Sequence, residues 1–345
     1  MVCKGASAEP TTRRRVMITL CLLFLLALSA FLALLCGQYS VSFRETVSAL
    51  CPWLLPWVEV TDTAQRVVWN MRMPRIILAI LTGAGLGMSG AAFQGLFSNP
   101  LATPDTLGVA AGASFGAALG ILLGLDGAAI QLMAFGLGLA AVAAVYLIGG
   151  TRKDGSLVMI VLSGLVVSAL FQALVSGVKY IADPQDQLPA ITFWLMGSLS
   201  TASYKEMRIG APLILAGMLA LFLLRWRINA LTLQEDEART LGIPVRKLRA
   251  LVILASTLVT ASVVSMCGQV SWVGLLVPHV ARMLLGNNHR HVVPACFFIG
   301  AIFMILIDTL ARTLTAAEIP ISILTAVIGA PMFIVLLRRT GGLRE

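Results

Sequence analysis

Three groups of residues in this 345-residue chain have the types and spacing for chemistry: a charged island at 225–249, a carboxylate inside an apolar run, and three histidines. In the island, RWRINALTLQEDEARTLGIPVRKLR, Thr232 and Glu235 have capping-box spacing, the hydroxyl taking an orphan backbone N–H and the carboxylate reaching back to the cap. Glu235, Asp236 and Glu237 put negative charge on a first turn, where the helix dipole favours it. Arg239 lies near the other end, Gly242 can take a left-handed stop, and Pro244 forbids continuation. The pattern predicts a helix of about ten residues, roughly 15 Å long, too short to cross lipid and suited to docking in a groove.

The carboxylate is Asp308. Inside a membrane span it invites a proton-relay reading, but Arg312 follows at i+4, the favourable order for an ion pair along one helix face, and this favours a structural pair. His279, His289 and His291 have no carboxylate or cysteine at metal-ligand spacing, so no metal site is expected. His289 and His291, in the NNHRH turn, read as solvated, and His279, after Pro278, as a helix-packing hydrogen-bonder. No lysine follows a glycine, which removes the G-x-x-x-x-G-K-[ST] phosphate cradle and ATP hydrolysis by that route. The sequence calls for no cofactor. The six cysteines form no C-x-x-C pair and read as small buried hydrophobes.

The elements that must hold these residues are membrane helices. A chain that is 58% hydrophobic and 12% charged, with mean hydropathy +0.92, belongs to the polytopic membrane class. The net charge of +9 then concerns orientation in lipid, not nucleic acid. Uncharged stretches at 16–37, 76–98, 106–125, 128–150, 156–178, 207–224, 250–267, 272–285, 292–307 and 319–337 predict ten spans, the sixth and eighth being the least regular. Ten spans leave both ends cytoplasmic with Arg13, Arg14, Arg15, Arg152, Lys153, Arg225, Arg227, Arg239 and Arg246, whereas nine would expose Arg338, Arg339 and Arg344. The expected organisation is therefore an all-α membrane protein: a cytoplasmic tail at 1–15, a transmembrane domain at 16–338 with its polar loop at 225–249, and a cytoplasmic tail at 339–345. Residues 38–71 form an outer loop whose Trp53, Trp57 and Trp69 suit the lipid interface. Pro100 and Pro104 force a break after the second span. Glycines from Gly83 to Gly95 suit close helix packing. Arg72-x-x-Arg75 and Arg246-x-x-Arg249 open two spans from opposite sides, as an inverted repeat would.

The stretches RMPRIILAILTGAGLGMSGAAFQGLFSNPLATPDTLGVAAGASFGA, EARTLGIPVRKLR, VSWVGLLVPHVAR and IDTLARTLTAAEIPISILTAVIGAPMFIVLLRR together resemble the FecCD family of ABC-importer permeases, from about residue 60 to the end. That resemblance implies the ten-helix fold of cobalamin-importer-type permeases and no catalytic residues of its own. It implies a second permease subunit, identical or homologous, two cytoplasmic ATPase subunits, and an extracytoplasmic binding protein at the bacterial cytoplasmic membrane. The family takes up ferric siderophores, haem and cobalamin; an iron(III) siderophore is the expected cargo, with haem or a corrinoid as the alternative. The resemblance assigns ATPase coupling to Glu235, Asp236, Glu237, Arg239, Leu241, Gly242 and Pro244. It assigns binding-protein docking to Arg72, Arg75 and Arg312, and an inner gate to Asn99, Pro100 and Leu101. Leu157 and Val158 stand where relatives carry small hydroxyl residues at a second gate. An ion-coupled secondary transporter using Asp308 is a weaker reading, because it would need more than one intramembrane carboxylate and no docking helix.

Overall fold

The structure, a computed structural model, describes residues 11–149, 157–233 and 235–339, and among them every regular element is helical. Arg152, Lys153 and Arg344 lie outside the described residues, as do most of the two tails, Cys3 and Lys4 among them. Fourteen α-helices follow one another: α1 (Thr12–Leu35), α2 (Phe43–Leu50), α3 (Asp62–Arg66), α4 (Met73–Leu96), α5 (Val109–Leu122), α6 (Gly127–Gly149), α7 (Leu157–Ile181), α8 (Gln187–Leu195), α9 (Tyr204–Leu231), α10 (Glu235–Thr240), α11 (Val245–Cys267), α12 (Val273–Leu285), α13 (His289–Thr313) and α14 (Ile321–Arg339). A π-helical turn, Val67–Arg72, joins α3 to α4 without a stop.

Ten of these helices occupy the ten expected places. Seven are long and apolar enough to cross a membrane, counting α3 to α4 as one continuous rod. The shorter ones are α5, α12 and α14. At 14 and 13 residues, α5 and α12 are about 20 Å long at 1.5 Å per residue, short of the roughly 30 Å of hydrocarbon. Each begins after a break, α5 behind the Pro100–Gly108 segment and α12 behind Gly268–Trp272. Four helices from α4 measure 24, 14, 23 and 25 residues, and four from α11 measure 23, 13, 25 and 19. Long, short, long occurs twice, followed by α7 in one case and by the shorter α14 in the other. The two leading helices run antiparallel: Thr82 of α4 meets Cys267 at the end of α11, and Gly85, further along α4, lies against Val259, earlier in α11.

Helix α4 is the axis of the bundle: 89% of its most apolar window is buried, against 22% for α1. Its glycines put backbone on backbone. A methyl group added at Gly83 would lie 2.0 Å from the Gly300 carbonyl oxygen of α13, and one at Gly90 would lie 1.9 Å from that of Gly274 in α12. Small-residue contact of this kind brings helices together where lipid offers no hydrophobic drive. The α1 start, the α9 end, the α10 loop and the α13 start share one end of the bundle: Arg15 meets His291 at 3.0 Å, and Asn229 meets Asn288 at 3.0 Å.

Candidate functional site

At the polar-loop end, α10 is a six-residue helix, shorter than expected, because α9 runs on to Leu231. Thr232 closes α9. Its hydroxyl and its N–H both donate to the Asn229 carbonyl, at 2.7 and 3.3 Å. The side chains of Glu235, Asp236 and Arg239 lie outside the described residues. The stop is as expected. Gly242 takes φ +73°, the Ile243 N–H donates to the Ala238 carbonyl at 3.1 Å, and Leu241 N–H donates to Glu237. This left-handed closure satisfies the last carbonyls of the turn. Pro244 then opens α11 directly, accepting from the Leu248 N–H at 3.0 Å. Ala238 is buried, while Leu241 is 68% exposed and nothing lies within 4 Å of Gly242, so the C-terminal tip of the loop projects outward.

Next to it, His289 is buried, contrary to the solvated reading. Its backbone N–H and Nδ1 both face Asn229 Oδ1, at 2.9 and 3.1 Å. Asn288 caps α13 by accepting from the Arg290 N–H. The asparagine pair ties α9 to α13, so the loop leaves a fixed frame. His279 turns its ring edge-on to Phe333, 6.0 Å away, in place of the expected hydrogen bond.

At the opposite end lies a buried charge cluster. Arg75 donates from Nε to Asp308 at 2.7 Å and from both terminal nitrogens to Glu318 at 2.7 and 3.0 Å. Arg312 Nε stands 3.6 Å from Asp308, so the i,i+4 pair exists but is the looser of the two. Arg72 donates to the carbonyls of Leu34 and Tyr39, and Arg312 to those of Ala33 and Cys36. These carbonyls belong to the last turn of α1 and the segment after it, where helix groups lack partners and the dipole is negative. Two guanidiniums from elsewhere in the chain cap α1. The docking expectation treated Arg72, Arg75 and Arg312 as outward charges, but all three are buried and engaged within the chain. Glu318, whose side chain is 33% exposed, is the member the sequence reading missed. Its signal was its place in AAEIP, directly before a span.

The break after α4 is also as predicted. Ser98 takes φ +47°, Asn99 Oδ1 accepts from the Leu101 N–H at 2.9 Å, and Pro104 starts a single 3₁₀ turn, Pro104–Leu107. Asn99, Pro100 and Leu101 are all exposed on that turn. Leu157 and Val158 lie at the start of α7.

Seven helices long and apolar enough to cross a membrane, broken short helices and glycine-packed contacts among the described residues mark a multi-pass membrane protein. A family model for the FecCD transport family matches residues 25–339, and the chain belongs to that family. It is 42% identical over 330 residues to the molybdate import system permease protein MolB of Haemophilus influenzae, covering 94% of this chain and 96% of that one. It is 40% identical over 276 residues to the "Probable iron chelatin transport system permease protein" of Helicobacter pylori, covering 80% and 83%. A solved ABC transporter of metal-chelate type in an inward-facing conformation superposes with a TM-score of 0.85 at 39% identity, covering 94% of this chain and 99% of the other. The chain is thus an ABC-importer permease, a transport component.

Proposed function

We propose that this permease imports a metal held by oxygen donors, an iron(III) siderophore foremost, across a bacterial cytoplasmic membrane with both of its termini cytoplasmic. ATP is hydrolysed by two separate ATPase subunits, and a second permease copy, identical or homologous, completes the path. The observation that carries the reading is the α10 loop: a stopped helix whose exposed tip leaves a rigid frame is what an ATPase groove requires. At the other end, Arg72, Arg75 and Arg312 serve the delivering protein by holding the rim in shape. Exposed Arg44, Arg66 and Lys205 offer the cations for its carboxylates. The exposed Asn99–Leu101 turn serves as the inner gate.

Molybdate is the second reading, favoured by the near full-length likeness to a molybdate permease. The test is uptake into proteoliposomes holding the permease, its ATPase and its binding protein. ATP-dependent accumulation of a ferric siderophore is the expected result, and accumulation of molybdate alone selects the second reading. Uptake driven by a pH gradient without ATPase overturns both.

A further inference from the structure

The two breaks in the helix pattern meet at one side of the bundle, where Thr103 lies beside Gly274. Thr106, in the 3₁₀ turn before α5, packs on Gly164 of α7, and Gly108, at φ +76°, lies against Ser168, about halfway along that helix. Across from it, the α11–α12 break returns so that Gly274 sits against Leu86 and Gly90 of α4, with Thr103 beside it. Between the two breaks is a crevice of about 200 Å³ lined by Asp105, Ser168, Gln172, Thr260, Gln269 and Ser271, with the first turn of α5 in its wall. It lies level with the middle of α4 and α7, and Asp105, Gln172 and Ser271 open it to the surface of the single chain, at a depth where polar side chains do not face lipid.

Three features of the crevice point to an oxygen-bearing ligand. Helix α5 starts behind Gly108 without a side-chain cap, so its first-turn N–H groups and positive dipole end are open at this level. Thr260, 1% exposed, is among the residues that line the crevice, and its hydroxyl has no hydrogen-bond partner among the described residues. A buried hydroxyl left unpaired costs free energy that a ligand acceptor recovers. Gln269 is held in place by its bond to Ser114 at 2.7 Å, leaving Ser168 and Gln172 of α7 as further donors. Asp105 supplies the opposing charge, which keeps residence short. A conducting path needs sites that bind and also release.

We propose that this crevice is a transit subsite for oxygen-rich anions, taking either a free tetrahedral oxyanion or the oxygen rim of a ferric chelate. It rests on the importer reading for its place in a pathway. The volume admits a tetrahedral oxyanion or a few waters at about 30 Å³ each, and only an edge of a whole chelate.

The test replaces Cys3, Cys21, Cys36 and Cys51 by Ala in the full permease, assembled with its ATPase in nanodiscs, and introduces Ser168→Cys. Gln172→Cys serves as the second variant. A negatively charged methanethiosulfonate reports access, and molybdate or ferric tris(catecholate) is added as competitor. The expected result is labelling that at least one competitor slows by about threefold or more, as 1 + [L]/Kd requires. Thr260→Val should weaken the protection and Asp105→Asn strengthen it. Protection by molybdate alone identifies a compact oxyanion, and protection by the catecholate alone identifies a chelate edge. No labelling of either cysteine, or labelling that neither competitor slows, overturns the subsite. ATP-driven uptake that persists in that case leaves the importer reading standing; protection without uptake removes the importer reading and leaves the subsite.

Discussion

Arg75 and Glu318 form a two-pronged ion pair, 2.7 and 3.0 Å, and the same guanidinium donates its Nε to Asp308, 233 positions along the chain. One side chain therefore locks the start of α4 to the end of α13 and to the segment before α14. Removing Asp308 leaves two guanidiniums short of a buried counter-charge. Asp308→Asn should cost about 3–5 kcal/mol, the scale for breaking a buried pair. Glu318→Gln, at a position that reaches solvent, should cost less. Melting temperature in detergent measures both, and equal losses would show that burial does not set the ranking.

Reversing Arg72 and Arg75 together to Glu should prevent folding, because it strips the cap from α1 and places acids against Asp308 and Glu318. The comparison is the yield of monodisperse protein against Arg66→Glu, which lies on the surface nearby. A folded double reversal that changes only the salt dependence of binding-protein affinity would restore these arginines as direct docking charges.

Gly90→Ala and Gly83→Ala should each cost at least about 1–3 kcal/mol, since the new methyl group meets a backbone carbonyl that has nowhere to go. Gly136→Ala and Gly177→Ala, with nothing within 4 Å, should be neutral in the same assay.

Gly242→Val should leave the bundle folded and uncouple uptake from ATP. The position is open, so the cost is conformational, about 1–2 kcal/mol for a β-branched residue at positive φ, and it falls on the exposed tip. Pull-down of the ATPase subunit together with ATP-driven uptake checks this; normal values for both would remove α10 from coupling.

The α2 cap gives a pH dependence. Glu45 accepts from the Ser42 hydroxyl and backbone N–H at 2.8 and 3.0 Å, and these bonds, the hydroxyl first, hold its carboxyl below the usual range. A lowered folded value means the contribution is present above the unfolded pKa and is lost as pH falls through the folded one. Proteolysis of the 38–61 segment should therefore rise below about pH 4 in the native chain. Glu45→Gln should show no such step.

The sequence carried the helices well because lipid permits little else: apolar length alone located ten of them. It did not carry depth. The runs at 106–125 and 272–285 are apolar enough to look like spans, yet Gly108 and Trp272 start their helices partway in. Gly242 was legible as a stop because only its own backbone decides it. The bond from the Thr232 hydroxyl back to Asn229 was not legible, because the sequence does not say that α9 runs as far as Leu231. The arginine cluster was legible as a set of unusual charges and illegible as a structure, since its partners are the α1 carbonyls and Glu318, which no local pattern joins to Arg72 or Arg75.

The capping of α1 also ties the two ends of the chain together. Its last carbonyls are met by Arg72 and by Arg312, which lies 276 residues beyond Cys36. The end of α1 is thus closed by a residue from near the other end of the helix order, in α13. A chain that ended before α13 would lack Arg312 and would leave the Ala33 and Cys36 carbonyls without that guanidinium.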